Sequence, residues 1–484
     1  MDFIEDLRVV NGPVLWIAWT AGTAGLVYLL WQGGRPAARV ASGATAAPRR
    51  LAALLPPAAA ILAAAALLAG AHWALIYVFS VFPGELPREV LAWSLPAVAA
   101  LLLWLMRLWD TWRPTGARPT GARPAAARPA AARPAGARAP GHNGRRRPAR
   151  TTAVSTAALL GVVLLSAVQI NGYFGLNHTV SDLTGTALAR IQPLEDGLKR
   201  APGPSAAVPL AGWNPPADLP VGGVLRRSGI PGTASGFASR EAYVYLPPAY
   251  QASPRPALPV LVLFAGQPGA PADWLTGGAL RSRMDRYAAA HRGVAPVVVV
   301  VDPNGSAAAN TLCMDSRIAR ADTFLAQDVP AWINRTLDVD PDPRRWAAGG
   351  FSFGATCALQ MVTRHPDIYS SALAFSSEQE PALAKEREKT VAASFGGDTE
   401  AFDRQTPLRL MRERRFDGHA IYFAAGERDP EFVGYLEVLS DAARAAGFTV
   451  DSRLVPGAGH SWETGSRGLP AGLDFLASRW GIPQ

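Results

Sequence analysis

The stretch WAAGGFSFGATCAL, Trp346 to Leu359, sets Ser352 between Gly350 and Gly354. A serine hydroxyl is a poor nucleophile at its own pKa. It needs a base to take its proton, and the base needs an acid to orient it. The apolar run before Ser352 reads as a strand and the residues after it as a helix. A turn between the two, tight enough to demand glycine on each side, would lift the hydroxyl to the edge of a sheet. Glycine is common here, at 46 of 484 residues, so the G-x-S-x-G spacing by itself is weak and its surroundings carry the argument.

Three histidines follow Ser352: His365, His419 and His460. His365 closes the helix that the serine begins, about 20 Å along its axis. His419 opens the strand HAIYFAA and so belongs at its N-terminal edge. His460, in the glycine-rich PGAGHSW, follows the last strand and falls at the carboxyl edge, where sites in open α/β sheets gather. In hydrolases built this way an Asp or Glu lies between serine and histidine in the chain. IYFAAGERDP offers Glu427 and Asp429 at a strand's end. Asp429 is preferred, because Gly426 breaks the strand and the turn carries that side chain inward; Glu427 is the alternative. A tetrahedral intermediate needs two N–H donors for its oxyanion. Phe353, directly after the nucleophile, supplies one. The second is expected from AGQPG after the strand VLVLF, where Pro268 has no N–H, so Gln267 is the donor and Gly266 permits close approach.

The elements that must position these residues are legible as short β-rich runs alternating with helical ones. Expected strands are Val224–Ile230, Glu241–Leu246, Val260–Phe264, Val297–Val301, Trp346–Gly349, Ser371–Phe375, His419–Ala424 and Thr449–Val455. VLVLF and VVVVV are apolar throughout, as parallel strands covered on both faces are. Helices are expected at about 280–291, 319–337, 353–365, 432–446 and 469–480. The alternation predicts an α/β domain, a mostly parallel sheet with helices on both faces, over residues 222–484.

The first 172 residues differ in kind. They carry 17 Arg/Lys and 6 Asp/Glu, while the remainder carries 30 and 32, so the net charge of +9 belongs to the N-terminal part. A nucleic-acid reader would place its basic residues on the folded domain, so no nucleic acid is expected as a partner. Mean hydropathy is +0.09, raised by uncharged apolar runs at Pro13–Trp31, Leu51–Phe82, Val90–Met106 and Ala153–Gly172. Each is near or above the length that crosses the hydrocarbon layer as a helix. Trp16, Trp31, Trp93 and Trp109 sit near their ends, as rings that settle at headgroup level do.

Arg35, Arg39, Arg49 and Arg50 follow the first run, and eleven arginines with one acid, Asp110, fill the loop from Arg107 to Arg150. By the positive-inside rule these two loops are cytoplasmic, and both termini with the α/β domain lie outside. Residues 1–112 thus read as three spans with short loops. Residues 113–150, with Arg118, Arg123, Arg128, Arg133 and Arg138 recurring among Pro and Ala, read as a disordered cytoplasmic linker hugging lipid. Residues 151–172 read as a fourth span, and 173–221, rich in Pro and Gly, as a stalk.

The two cysteines, Cys313 and Cys357, fall on the outer side, where disulfides persist. Cys357 lies at the start of the nucleophile's helix and Cys313 in a loop near the same sheet edge, so a bridge is expected, with two buried thiols as the alternative. No CxxC spacing indicates a metal, and no cofactor is expected.

At these residues the domain resembles the esterase D, or putative esterase, family of α/β hydrolases, which includes actinobacterial mycolyltransferases. The resemblance rests on YVYLPPAY, LVLFAGQPGAPADW, GGFSFG, GERD and GAGHSW in this order, over about 220–484. It implies Ser352, Asp429 and His460 as the triad, with Gln267 and Phe353 as oxyanion donors. Ala265 stands where many members have His and mycolyltransferases Asp. Gly465 stands where members with a similar ending often carry a second Trp.

The expected function is therefore a membrane-anchored, extracytoplasmic serine esterase acting on an ester that is lipid- or envelope-linked. The alternatives are an envelope acyltransferase, passing the acyl group to a sugar or lipid hydroxyl, and an inactive hydrolase-fold binding module.

Overall fold

The computed structural model describes residues 2–34, 46–81, 83–112, 146–201, 203 and 207–483. The arginine repeat of the expected linker lies outside the described residues. The chain forms two bodies: one gathers Met1–Gly12, His72–Glu85 and Asn171–Gln484, the other Pro13–Ala71 and Leu86–Ile170.

Among the described residues, four helices are long and apolar enough to cross a membrane: Pro13–Gly33, Leu54–Val78, Arg88–Trp109 and Arg150–Phe174. The second ends in a π-helical turn, Ala74–Val78. In the smaller body Leu29, Ala60, Ala100, Leu103 and Val162 form a core. Ser155 Oγ donates to Gln32 Oε1 at 3.0 Å, so the first and fourth of these helices share a buried polar contact. Trp16, Leu62, Leu67 and Leu160 point away from protein, as side chains that face lipid do.

The larger body is built on an eight-stranded sheet. Its strands are β1 (Val224–Ser228), β2 (Ala242–Leu246), β3 (Val260–Phe264), β4 (Val297–Val301), β5 (Trp346–Phe351), β6 (Ser371–Phe375), β7 (Ala420–Gly426) and β8 (Thr449–Val455). Their order is β1-β2-β4-β3-β5-β6-β7-β8. β1 and β2 run antiparallel, and β3 to β8 are parallel to one another. Every residue of β3, β4, β5, β6 and β7 is buried, which is why β3 and β4 read as unbroken apolar runs. This is the α/β-hydrolase fold that the family resemblance implies, with the mostly parallel sheet that the alternation of strands and helices predicted; β5 lies near the centre and its carboxyl end is free for a site.

Three details depart from the sequence reading. The described residues of 173–221 are not a free stalk but part of this body. Leu194 enters its core, Arg200 N–H donates to the Thr336 carbonyl at 2.7 Å, and Val208 N–H to the Arg255 carbonyl at 2.9 Å. A few apolar anchors dock a segment that composition marks as linker. The helix expected over 319–337 runs without a break from Ala321 to Thr336 but widens into a π-helical turn at Phe324–Asp328. The last helix begins at Trp462, seven residues before the expected start, and carries Pro470 inside.

Two N-terminal pieces also belong to this body. Glu5 pairs with Arg190 at 2.6 Å. Lys389 Nζ donates to the Tyr77 carbonyl at 2.7 Å, and Lys385 Nζ lies 2.5 Å from Glu85.

Candidate active site

Ser352 sits between β5 and the helix Phe353–Arg364 with φ 56° and ψ −123°. That conformation is costly for a residue with a Cβ and persists only where the surroundings enforce it. The flanking glycines show how. A Cβ on Gly350 would lie 2.2 Å from the Gly354 backbone, and one on Gly354 would lie 2.2 Å from the Phe264 carbonyl. The turn closes on itself and against the end of β3, so side chains are excluded on both sides of the serine. Ser352 N–H donates to the Phe375 carbonyl at 2.9 Å, tying the turn to β6.

Ser352 Oγ lies 2.8 Å from Nε2 of His460, and Nδ1 of His460 lies 2.9 Å from Oδ2 of Asp429. Asp429 is 8% exposed. With the imidazole proton on Nδ1, donated to Asp429, Nε2 is free to accept from the serine hydroxyl. The ring of His460 is held between Phe432, 4.0 Å away centroid to centroid, and Phe351 at 5.2 Å. Glu427 is turned elsewhere: its Oε2 accepts from Gly457 N–H at 2.7 Å and braces the loop that carries His460. A Cβ on Gly426 would lie 2.5 Å from the Gly459 carbonyl, so the bare strand end is what lets that loop pass. His365 bonds to Asp322, and His419 to the Pro366 carbonyl.

Neither Phe353 nor Gln267 donates its backbone N–H to any group among the described residues. Gly266 lies against the serine, its ideal Cβ position 3.7 Å from Ser352 Cβ. The Gln267 loop is clamped from behind. Gln267 Nε2 donates to the Ala308 carbonyl at 3.1 Å, and Gly269 N–H to the Ala307 carbonyl at 3.0 Å. Arg240 Nη2 donates to the Gly269 carbonyl at 2.9 Å while its guanidinium grips the fully buried side chain of Asp302 at the end of β4. Hydrogen bonding to that carboxylate raises the Arg240 pKa. Sequence reasoning missed Arg240 and Asp302, because a pairing across 62 residues leaves no local pattern.

Cys313 and Cys357 form a disulfide with Cα atoms 5.5 Å apart, both fully buried. It ties the nucleophile's helix to the loop after β4.

Glu378, just past β6, was also missed. Thr356 Oγ1 donates to its Oε2 at 3.2 Å and accepts from its backbone N–H at 3.1 Å; the same hydroxyl lies 3.4 Å from the Ser352 carbonyl. Burial deep in the cleft pushes the Glu378 carboxyl up to about 8, opposed by the Thr356 hydrogen bond and helped by the charge of Glu431. Its residue still keeps part of its surface open.

Residues 238–473 match the sequence model of the putative esterase family. The fold and the site define an α/β hydrolase, and the C-terminal domain belongs to the putative esterase family. The chain is 39% identical over 256 residues to an uncharacterized protein of Corynebacterium glutamicum, a match covering 52% of this chain. It spans only 60% of that relative's length. Among solved structures the domain resembles a ferulic acid esterase (20% identity, 54% of this chain and 99% of that one, TM-score 0.46). It also resembles an S-formylglutathione hydrolase of Agrobacterium tumefaciens (19%, 55% and 98%, TM-score 0.45). A third is MPT51 of Mycobacterium tuberculosis (17%, 53% and 97%, TM-score 0.40).

Proposed function

We propose that the protein is a membrane-anchored serine esterase whose catalytic domain faces the outside of the cell. The observation that carries the reading is the unbroken chain of hydrogen bonds from Ser352 Oγ through His460 to Asp429, at 2.8 and 2.9 Å. Ser352 attacks the ester carbonyl while His460 Nε2 takes its proton. The oxyanion is received by the Phe353 and Gln267 N–H groups. The imidazolium, steadied by Asp429, then protonates the departing alcohol, and water repeats the sequence on the acyl-enzyme.

The placement outside draws on two features. The arginine-rich stretches of sequence, 35–50 and 107–150, separate the first apolar helix from the second and the third from the fourth. The segments on the other side, Met1–Gly12, His72–Glu85 and everything from Asn171, fall together in the catalytic body. A buried disulfide suits an oxidising compartment.

The test is labelling of the full-length protein in detergent by a fluorophosphonate probe, with adduct mass on Ser352, alongside hydrolysis of a p-nitrophenyl ester. Ser352→Ala is expected to abolish labelling and lower the rate by several orders of magnitude. Retained hydrolysis in that variant refutes the assignment. Product analysis with and without a sugar acceptor separates release to water from transfer to a hydroxyl.

A further inference from the structure

The cleft holds one carboxyl that the triad does not use. Glu378 leaves the carboxyl end of β6, the neighbour of β5 on the side away from β3. Its Oε2 is occupied by the Thr356 hydroxyl. Its Oε1 has no hydrogen-bond partner among the described residues, and it is not one of the occluded polar atoms. Across from it stands the helix Pro430–Ala445, which presents Glu431 and Tyr435, joined to each other at 2.7 Å. The field of Glu378 reaches Tyr435, as do those of Glu431 and Asp429. Phe432 of the same helix packs on the His460 ring. Thr356, which holds Glu378, has its hydroxyl 3.4 Å from the Ser352 carbonyl, so the carboxyl stands beside the nucleophile's turn.

The side of the site follows from the chemistry. The leaving alcohol takes its proton from His460 Nε2, so it must lie on the His460 side of Ser352. The oxyanion donors come from Phe353 and from the loop after β3, on the opposite flank of β5. The free oxygen of Glu378 thus faces the alcohol part of the ester, not its carbonyl oxygen.

We propose that Glu378 is the specificity-determining residue for the alcohol part, hydrogen-bonding a hydroxyl of a polyhydroxylated alcohol. Thr356 fixes its orientation by filling Oε2 and holding its backbone N–H, so the group is set before substrate arrives. A carboxyl kept neutral by burial offers Oε1–H as a donor. A neutral group also adds no second charge beside Asp429. An alcohol part without further hydroxyls would displace water from Oε1 and leave its donor unpaired, which is what makes such a site selective. This inference rests on the serine esterase reading above.

The experiment compares kcat/KM of the full-length protein in detergent on glycerol monobutyrate and on propyl butyrate, which share acyl group and primary ester. Wild type is expected to favour the glyceryl ester. Glu378→Ala is expected to lower the glyceryl-to-propyl ratio at least tenfold, chiefly through KM. Glu378→Gln, which keeps an amide donor and a carbonyl for Thr356, is expected to stay within threefold of the wild-type ratio. Should the alanine variant not fold, Glu378→Leu fills the same volume without a polar atom and carries the same expectation. A purely structural role would lower both esters together and leave the ratio unmoved, and that result overturns the proposal. So does a wild type that labels with fluorophosphonate but shows no glyceryl preference. A wild type that neither labels nor cleaves either ester fails one step earlier, at the esterase reading.

Discussion

Asp429 Oδ2 lies 2.9 Å from Nδ1 of His460, the carboxylate buried and the ring half-buried. This contact fixes which imidazole nitrogen carries the proton. Asp429→Asn is expected to reverse the donor, impose the wrong tautomer and lower kcat by about 10³–10⁴-fold with KM little changed. Glu427→Gln, two residues away, weakens only the brace to Gly457 and is expected to cost far less. Steady-state kinetics of the two variants side by side check the assignment. Equal losses would mean that the carboxylates act together.

The elbow predicts a sharp steric boundary. In Gly354→Ala the new methyl must displace the Phe264 carbonyl, a backbone atom of the central sheet that cannot swing away. We expect a destabilisation of roughly 3 kcal/mol or more, in the range of overpacked cores. Thermal melts, with fluorophosphonate labelling of whatever remains folded, measure it. A fully stable Gly354→Ala would show that the turn is looser than its contacts imply.

The bridge between Cys313 and Cys357 closes a separation of 44 residues. Chain entropy alone puts its contribution at about 4 kcal/mol, an upper figure if the reduced chain keeps structure. Replacing both cysteines with alanine is expected to lower Tm by around 10 °C for a domain of this size. Calorimetry of the oxidised and doubly substituted proteins reads the difference directly.

Glu378 gives stability a pH dependence of known sign. Its ordinary value is near 4.5, and burial pushes it to about 8 in the folded domain. Between these values the folded state binds a proton that the unfolded chain has released. The contribution of this group is therefore full below about 4.5 and is lost as pH rises through about 8. Glutamine at this position needs no proton. The Tm of Glu378→Gln should exceed that of wild type at pH 8 and converge on it at pH 5. A constant difference across that range would contradict the shift. The groups facing Glu378 are Thr356, Glu431 and Tyr435, and burial with the charge of Glu431 pushes Tyr435 up as well, so neither supplies a compensating cation.

Much of this was legible in the sequence, and for identifiable reasons. β3 and β4 announce themselves because both faces of each are covered, so no polar residue interrupts the run. His460 was separated from His365 and His419 by asking which end of a strand or helix each occupies. Other features depended on contacts between distant parts. Leu194 looks like a residue in a linker until the core that receives it exists. The helix Trp462–Trp480 begins early because the turn at His460 feeds straight into it, so Pro470, near the start of the expected helix, falls inside the observed one. Arg240 and Glu378 carry no local signature. One is defined by Asp302, the other by Thr356 and by a helix that starts fifty-two residues later in the chain.

Both sulfurs of the bridge are sealed inside the finished domain. No oxidoreductase can touch them once the sheet has closed over the nucleophile's helix. Maturation must therefore be ordered, with electrons leaving the two thiols while that layer is still ajar. A chain that closes before meeting its oxidant would be locked in the dithiol form until it opened again.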